Sequence, residues 1–270
     1  MPQDDEVYEL YAIRYASHPG RRMNQSVLFY DPHNGPMPMD YFVWLARSPK
    51  RCVLIDLGYQ KELAAEKKHT YHFNPLEGLK ALGVSPDQVD EIIVSHMHWD
   101  HVGNFDLFPN ARLHIQNAEL MHCCGKYMQY SPLRKSFRIE DVTSVLGRLY
   151  AGQVNVYEGE AEPCPGITLH HIGGHVPGLQ VARVRTKRGQ VVVASDALHF
   201  FYNFEAQNPF PTVVNVAEMV EGWHTILKLA GGDKNRLVPG HDPIVFTSYP
   251  PVLGAAEGMA VRLDEAPDKE

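Results

Sequence analysis

The strongest constraint on this chain is a short cluster of potential metal ligands between His96 and His101, with the sequence His-Met-His-Trp-Asp-His. His96 and His98 are two residues apart in an extended segment, so they project to the same side and can bind one ion. Asp100 and His101 follow where the chain turns and can face a second ion beside the first. Neutral imidazoles with carboxylates suit zinc or another first-row divalent metal. We therefore expect a metal site here rather than a solvated polar loop.

The sequence around this cluster predicts that it lies on a loop at the end of a core strand. Residues 91–94 (Glu-Ile-Ile-Val) are mostly apolar and β-branched, which is typical of a buried strand. Gly103 and Asn104 follow the cluster and favour a turn. Proteins of the α/β class commonly place their chemistry at this position.

Three further ligand-type residues follow predicted strands later in the chain. His175 lies in a glycine-rich loop between two of them, Asp196 ends the strand over 190–195, and His241 follows a short strand over 236–239. A histidine in a glycine-rich turn is weak evidence for a site by itself. The recurrence of polar residues at strand ends predicts that they converge on the first cluster.

Composition excludes several function classes. The chain has 270 residues, 44% of them hydrophobic, which can bury a sizeable core. A net charge of −7 argues against a nucleic acid or an anionic membrane as a partner, and no apolar stretch is long enough for a membrane span. The acidic start of the chain has no apolar core of a signal peptide. Four cysteines without a Cys-x-x-Cys pair favour a reduced, cytoplasmic protein.

The apolar pattern predicts strands followed by helices, twice over, in a single domain of residues 1–270. We expect Asn117 to cap a helix that opens a helical excursion at about 117–150, and a last helix from Pro250. Two sheets between helical layers fit this order. The predicted strands cover residues 7–15, 26–30, 41–46, 52–57, 91–94, 112–115, 153–157, 166–171, 179–185, 190–195 and 236–239, and the other helices cover 75–82 and 216–230.

Seven residues together resemble the ligand set of the metallo-β-lactamase superfamily. That resemblance implies an α/β fold in which two central sheets lie between helices, an αβ/βα four-layer sandwich. It also implies two divalent metal ions, with Asp196 bridging both. Zinc is the first expectation, and iron, manganese or cobalt accept the same ligands. By position, the first metal is bound by His96, His98 and His175, and the second by Asp100, His101 and His241.

Within the superfamily, the chain most resembles the N-acyl-homoserine lactone lactonases, which are quorum-quenching enzymes. The similarity extends to Val53–Gly58, Gly174–Gly178, Asn203–Glu205 and Gly240–Asp242. It implies that a hydroxide between the metals opens the ring of a small lactone, either an N-acyl-homoserine lactone or a related cyclic ester. It also implies a possible homodimer through the helical excursion.

Three residues are expected to take part in catalysis beside the metals. Asp100 is the expected proton shuttle, because it would touch both the second metal and the attacking water. Those lactonases carry a tyrosine three residues after the bridging aspartate, where this chain has His199. Either His199 or Tyr202, one helical turn further on, could donate to the substrate carbonyl.

Other functions fit the same ligands less well. Thioester hydrolysis of the glyoxalase II type usually needs a further C-terminal helical domain, and 29 residues follow His241. A nuclease is disfavoured because the chain has no basic stripe. A mononuclear iron sulfur dioxygenase and a non-catalytic binding module are the remaining alternatives.

Two smaller questions stay open at the level of sequence. Asp56, at the end of a predicted strand, either supports a metal-bound histidine or forms a turn with Gly58. The aromatic residues near the predicted ligands either line an apolar pocket or belong to the core; they are Trp99, Phe200, Phe201, Tyr202, Phe204 and Phe210.

Overall fold

The computed structural model describes residues 6–268, which contain thirteen strands and nine α-helices. The strands, in chain order, are β1 Glu9–His18, β2 Met39–Arg47, β3 Cys52–Ile55, β4 Thr70–Tyr71, β5 Val89–Ile93, β6 Arg112–Gln116, β7 Val154–Tyr157, β8 Ala161–Cys164, β9 Ile167–His171, β10 Gln180–Thr186, β11 Gly189–Ser195, β12 Leu237–Pro239 and β13 Ala260–Arg262. The helices are α1 Lys61–Lys67, α2 Pro75–Ala81, α3 Trp99–Val102, α4 Asn117–Cys123, α5 Ser131–Arg134, α6 Ile139–Tyr150, α7 Phe201–Glu205, α8 Val216–Leu229 and α9 Ile244–Ser248.

The strands form two sheets. The first has eight strands in the order β13-β1-β2-β3-β5-β6-β7, with β4 paired to β1. The second has five, in the order β12-β11-β10-β9-β8. Two pairs of neighbouring strands are parallel and matter for the site, β3 with β5 in the first sheet and β11 with β12 in the second. Parallel neighbours end at the same edge of a sheet, so the residues that follow them are brought together.

Three apolar clusters arrange the molecule into four layers. One cluster lies between the two sheets and contains Trp44 of β2 and Val193 of β11. A second packs the outer face of the first sheet against helices that include α2, α4 and α6. A third packs the outer face of the second sheet against α8, through Trp223. The expected αβ/βα sandwich is therefore confirmed, because each strand buries alternate residues on opposite sides.

Local sequence signals account for the helices that were predicted correctly. Asn74 accepts a hydrogen bond from the backbone N–H of Leu76 at 2.9 Å, and Glu77 accepts one from Asn74 at 3.2 Å, which makes a capping box before α2. Asn215 caps α8 by accepting from the backbone N–H groups of Ala217 and Glu218, and two glycines with positive φ follow that helix.

Several local predictions are wrong. Residues 26–30 are a loop, because Leu28 and Phe29 donate to Pro209 and Asn208 instead of to a neighbouring strand. The segment after Pro250 is irregular and leads into β13, which pairs with β1 at the sheet edge. Asn117 is the first residue of α4 rather than its cap, and its amide donates to Glu158. The sequence analysis also predicted neither the helix α1 nor the strand β8.

The described part of the chain has no helix that is both long and apolar enough to cross a bilayer. Met1–Asp5, on which the signal-peptide prediction rests, lie outside the described residues, as do Lys269 and Glu270. The single domain over residues 1–270 stays a prediction.

Candidate metal centre

The ends of four parallel-paired strands converge at one edge of the sandwich. Asp56 follows β3, and the ligand cluster from His96 to His101 follows β5. Asp196 follows β11, and His241 follows β12. The loop after β9 brings His175 to the same place. Gly174 has a φ of +79° there, and an added Cβ would lie 2.6 Å from the Cα of Met219 in α8, so only glycine allows this close approach.

Four of the predicted ligands form a first buried group. The Nε2 atom of His175 lies 3.2 Å from Nε2 of His96 and 2.9 Å from Nδ1 of His98. The same His175 atom lies 3.2 Å from Oδ2 of Asp196. Ligand atoms this close together, on residues that are all buried, form a set that fits one cation.

The other predicted ligands form a second group on the opposite oxygen of Asp196. Its Oδ1 atom lies 3.1 Å from Nε2 of His241 and 3.3 Å from Nε2 of His101. Oδ2 of Asp100 lies 3.7 Å from both imidazole nitrogens. The structure thus brings all seven of these residues together in two groups that share one carboxylate.

Two buried atoms at the centre show that this arrangement suits cations. Nε2 of His101 and Oδ1 of Asp196 are buried and have no hydrogen-bond partner among the described residues. An unpaired polar atom in this environment costs about 1–3 kcal/mol. Divalent ions between the two groups would satisfy both atoms, so the donor set fits two metal ions.

Four of the ligand histidines are oriented by hydrogen bonds at their other ring nitrogen. The Nδ1 atoms of His175 and His241 lie 2.5 Å from the carbonyl oxygen of Thr212 and 2.9 Å from that of Asp40. A carbonyl accepts only from an N–H, so each ring carries a proton on Nδ1, and Nε2 is the atom that a neutral ring can offer to a metal. His96 and His101 have corresponding contacts with Ser95, at 3.0 Å, and with Asp56, at 2.7 Å.

Asp56 connects the metal ligands of the first sheet with the second sheet. It is fully buried, and its Oδ2 accepts from Nδ1 of His101, from the hydroxyl of Ser95 at 2.7 Å and from the hydroxyl of Ser195 at 3.2 Å. Its Oδ1 accepts from the backbone N–H of Ser95 at 2.8 Å. Of the two alternatives open from the sequence, these contacts match the first, in which Asp56 supports a histidine that can bind a metal. Asp56 also adopts a positive φ of 57° in the turn before Gly58.

Burial sets the protonation of the first group. Burial and the neighbouring imidazoles lower the pKa of His96 and His98 well below the usual value. Burial also lowers the pKa of His175. These rings are neutral near pH 7, which is the state that binds a metal.

In the second group, interactions between carboxylates and imidazoles outweigh burial in setting the pKa values. Burial alone would lower the pKa of His101, but Asp196, Asp100 and Asp56 raise it well above the usual value. Burial would raise the pKa of Asp196, yet His199, His241 and His101 hold it well below its usual range. Asp196 is therefore ionised and supplies negative charge to both groups.

Glu119 is a supporting residue that the sequence did not single out. It is fully buried in α4, and Oε1 accepts from the backbone N–H of Met97 at 2.8 Å, between the two ligands of the first loop. Its Oε2 accepts from the backbone N–H of Gly178 at 3.2 Å, in the loop of His175. Burial raises the pKa of Glu119 to about 7, although both N–H donors oppose the shift. Only the folded chain brings these three segments together, so the sequence carried no signal for the role.

The two candidate carbonyl donors lie in different places. Nε2 of His199 is 2.7 Å from Oδ2 of Asp196, its Nδ1 is buried without a partner among the described residues, and its ring stacks on Phe210 at 3.4 Å. The hydroxyl of Tyr202 instead donates to Asp31 at 2.8 Å, in the loop between β1 and β2.

The aromatic residues after Asp196 divide between the core and the site. Phe210 is buried against His199 and His175, and Phe200 is also buried. Phe204 packs on Trp223 of α8 and therefore belongs to the core. The sequence left open whether these aromatic residues lie at the site or in the core, and both occur in the same segment: Phe210 lies at the site and Phe204 in the core.

The chain was compared with known protein families and proteins. A family model described as the metallo-beta-lactamase superfamily matches residues 37–241. An N-acyl homoserine lactonase of Bacillus cereus is 34% identical over 133 residues, which are 49% of this chain and 48% of that protein. This chain therefore spans about half the length of that relative.

Solved structures resemble the whole sandwich. A quorum-quenching N-acyl homoserine lactone lactonase has a TM-score of 0.73 at 22% identity, covering 88% of this chain and 93% of the other. AidC, a dizinc quorum-quenching lactonase in complex with a product, has a TM-score of 0.68 at 16% identity, covering 89% and 92%. These structures share the fold, and the family model covers most of the length with all seven ligand positions. The chain belongs to the metallo-beta-lactamase superfamily.

Proposed function

We propose that this protein is a dinuclear, metal-dependent hydrolase that opens lactone rings, with an N-acyl-homoserine lactone or a related cyclic ester as its substrate. One observation carries the proposal: the two carboxylate oxygens of Asp196 face two separate groups of ligands, at distances of 3.1–3.3 Å. The lactonases among its relatives and neighbours support the substrate class.

The residues that would hold the metals follow from the two groups. One ion would be held by His96, His98 and His175, and the other by Asp100, His101 and His241, with Asp196 shared. Zinc is the first choice for this imidazole and carboxylate set, and AidC is described as a dizinc lactonase. When bound, two such cations lower the pKa of water to near neutrality and polarise a carbonyl oxygen.

Asp100 is the residue best placed to carry the proton. Its side chain is 13% exposed, whereas those of His101, Asp196 and His241 are 2–4% exposed. The carboxylate can therefore take a proton on the side that faces the substrate and release it to the leaving ring oxygen. The hydroxyl of Tyr15 donates to the backbone carbonyl of Asp100 at 3.0 Å and fixes the position of this turn.

His199 is a better candidate than Tyr202 for contact with the substrate carbonyl. Its ring lies against Asp196 and is held flat by Phe210, so it is already at the centre. Tyr202 would first have to release Asp31. In the resting arrangement His199 donates to Asp196, so we propose that it also orients the shared carboxylate.

A panel of substrates tests the proposal. Protein loaded with zinc, and separately with iron(II), manganese or cobalt, is offered N-hexanoyl-homoserine lactone, a simple lactone, a linear ester and a thioester, and acid release is followed by pH-stat. We expect the lactones to react fastest with about two metal equivalents bound, and Asp196→Asn to lose metal and rate together. Intact lactones with both metals bound would contradict the proposal, and oxygen uptake by a one-iron form would favour a dioxygenase.

Two further proposals concern the setting of the enzyme. Met121, Tyr127, Tyr130 and Ile139 expose between 46% and 68% of their surface on the helical excursion, which supports a homodimer contact there. Light scattering on a sizing column tests it, with Met121→Glu expected to shift a dimer to monomer.

All four cysteines are free, which supports a reducing compartment such as the cytoplasm.

A further inference from the structure

A cavity reaches the metal centre from the side of the helical excursion. It has a volume of about 250 Å³, and His98 and His175 form part of its wall. Two segments flank it. Residues 132–137 lie on one side, where the carbonyl of Ser136 accepts from the backbone N–H of Trp99 at 2.9 Å. Residues 211–214 lie on the other, where Val214 donates to the carbonyl of Gly174 at 3.0 Å.

About half of the wall of this cavity is apolar. The ring of Phe137 lies edge-on to His98, with ring centroids 4.8 Å apart. Leu133 joins it on the same side, and Pro211 and Val213 face it. The volume is below the range of about 300–1,000 Å³ that is typical of sites for drug-sized ligands. Only a short organic group fits here.

One side chain gives this cavity a charge. Lys135 is the single lysine, arginine or acidic residue in its lining. Its ammonium has no ion-pair or hydrogen-bond acceptor among the described residues. The other titratable residue away from the metal ligands is His122, whose pKa burial lowers, so it is neutral near pH 7. Arg134 and Arg138 lie outside this lining and, with Lys135 and Glu140, line a second cavity, where Arg138 pairs with Glu140 at 3.5 Å.

This local positive charge contrasts with the rest of the molecule. The whole chain carries a net charge of −7, yet the charged side chain in this lining is a cation, Lys135. A charged side chain in the wall of a cavity attracts ligands of the opposite sign. The ligand that complements it has a short apolar part and a negative end.

We propose that the substrates of this enzyme carry an anionic group, a carboxylate, at the end of a short acyl chain, and that Lys135 binds it in this cavity. The inference rests on the proposed lactone hydrolysis and adds the class of acyl group. The apolar part of the wall, around Phe137 and Leu133, holds the chain, and the ammonium binds the carboxylate beyond it. Lys135 is exposed, so water screens this ion pair and its contribution to binding is modest.

Two lactones that differ in one group test the proposal. N-succinyl-homoserine lactone has a terminal carboxylate, and its methyl ester is the neutral partner of nearly the same shape. The quantity measured is the ratio of kcat/KM for the anionic substrate to that for the neutral one. It is determined for the parent protein, for Lys135→Met and for Lys135→Glu, with Lys80→Met, an exposed lysine on α2, as the matched control.

We expect a ratio above one in the parent protein and in the control, and a loss of about threefold to tenfold in Lys135→Met. Lys135→Glu should lower the ratio further, and salt should reduce the preference of the parent protein. A parent ratio of one or less, or an unchanged ratio in Lys135→Met, would overturn the inference while the proposed lactonase function stands. If neither lactone is opened by metal-loaded protein, the proposed function and this inference fail together.

Discussion

At the scale of single residues, chain spacing indicated the metal ligands, and the contacts that hold them came only from the fold. His96 and His98 are two residues apart in an extended segment, so side-chain periodicity predicted that they project to the same side. Ser195 donates to Asp56, and Glu119 accepts from the backbone N–H of Met97, both far away in the chain, and no local pattern indicates such contacts. The difference is one of sequence separation rather than of chemistry.

Asp56 offers a test of this supporting layer. In Asp56→Asn, one carboxylate oxygen becomes an NH₂ group that faces the donors Ser95, Ser195 or His101. We expect a loss of about 1–3 kcal/mol in the free energy of unfolding and about 10- to 100-fold weaker metal binding. Urea unfolding and competition with a chromogenic chelator measure the two effects. The exposed Asp106→Asn is the control, and equal metal affinity in the two variants would contradict the role of Asp56.

Glu119 makes stability depend on pH in a defined window. Its pKa is about 7 in the folded protein and 4.5 in a free chain, so between these values the folded state binds more protons than the unfolded state. Stability from this group is therefore complete below pH 4.5 and is lost as the pH rises to 7.

The matched variant isolates that dependence. Relative to Glu119→Gln, we expect the parent protein to lose on the order of 3 kcal/mol of unfolding free energy between pH 4.5 and 7. Urea unfolding at intervals of half a pH unit measures the difference, with Glu62→Gln on the exposed face of α1 as the control. Parallel pH profiles for the parent and Glu119→Gln would show that the carboxyl group does not titrate in this range.

At the scale of elements, the buried strands and the amphipathic helix α8 could be predicted because periodicity fixes them. The loop between β1 and β2 could not, although Ser26–Tyr30 has the composition of a strand. Its backbone is bound to α7 and to the segment after that helix rather than to a sheet, through Asn203 with Ser26 and through Leu28 with Pro209. Pairing partners that are far apart in sequence decide such cases.

Asn203 is the buried side chain that holds this loop. Its amide donates to the carbonyls of Ser26 at 3.0 Å and Asn208 at 2.9 Å, and its oxygen accepts from the N–H of Phe200 at 3.1 Å. In Asn203→Ala we expect the loop between β1 and β2 to open, with faster proteolytic cleavage there and a loss of about 1–3 kcal/mol in stability. Mass spectrometry of limited digests locates the cut. Asn117→Ala is the control, and an unchanged digestion pattern would contradict the prediction.

At the scale of the whole molecule, the metal centre joins the two sheets. The loop after β5 in the first sheet supplies one part of each group, and the loops after β9, β11 and β12 in the second sheet supply the rest. The sequence could predict the two-sheet sandwich, because strand order and ligand order both indicated it. Asp56 also connects the two sheets, without a metal, because its carboxylate accepts hydrogen bonds from Ser95 beside the first sheet and from Ser195 of the second.

Metal binding should therefore stabilise the sandwich as a unit. The buried Nε2 of His101 and Oδ1 of Asp196 lack partners without ions, and a ligand that binds only the folded state adds about 2.7 kcal/mol at a concentration 100 times its Kd. We expect chelator-treated protein to unfold at lower urea, and the midpoint to rise with the logarithm of added zinc. Asp196→Asn, which removes the shared charge, should respond much less than the parent. A midpoint that is the same with and without zinc would mean that the two groups of ligands do not hold metal in the folded protein, because a cation bound only there must shift the unfolding equilibrium.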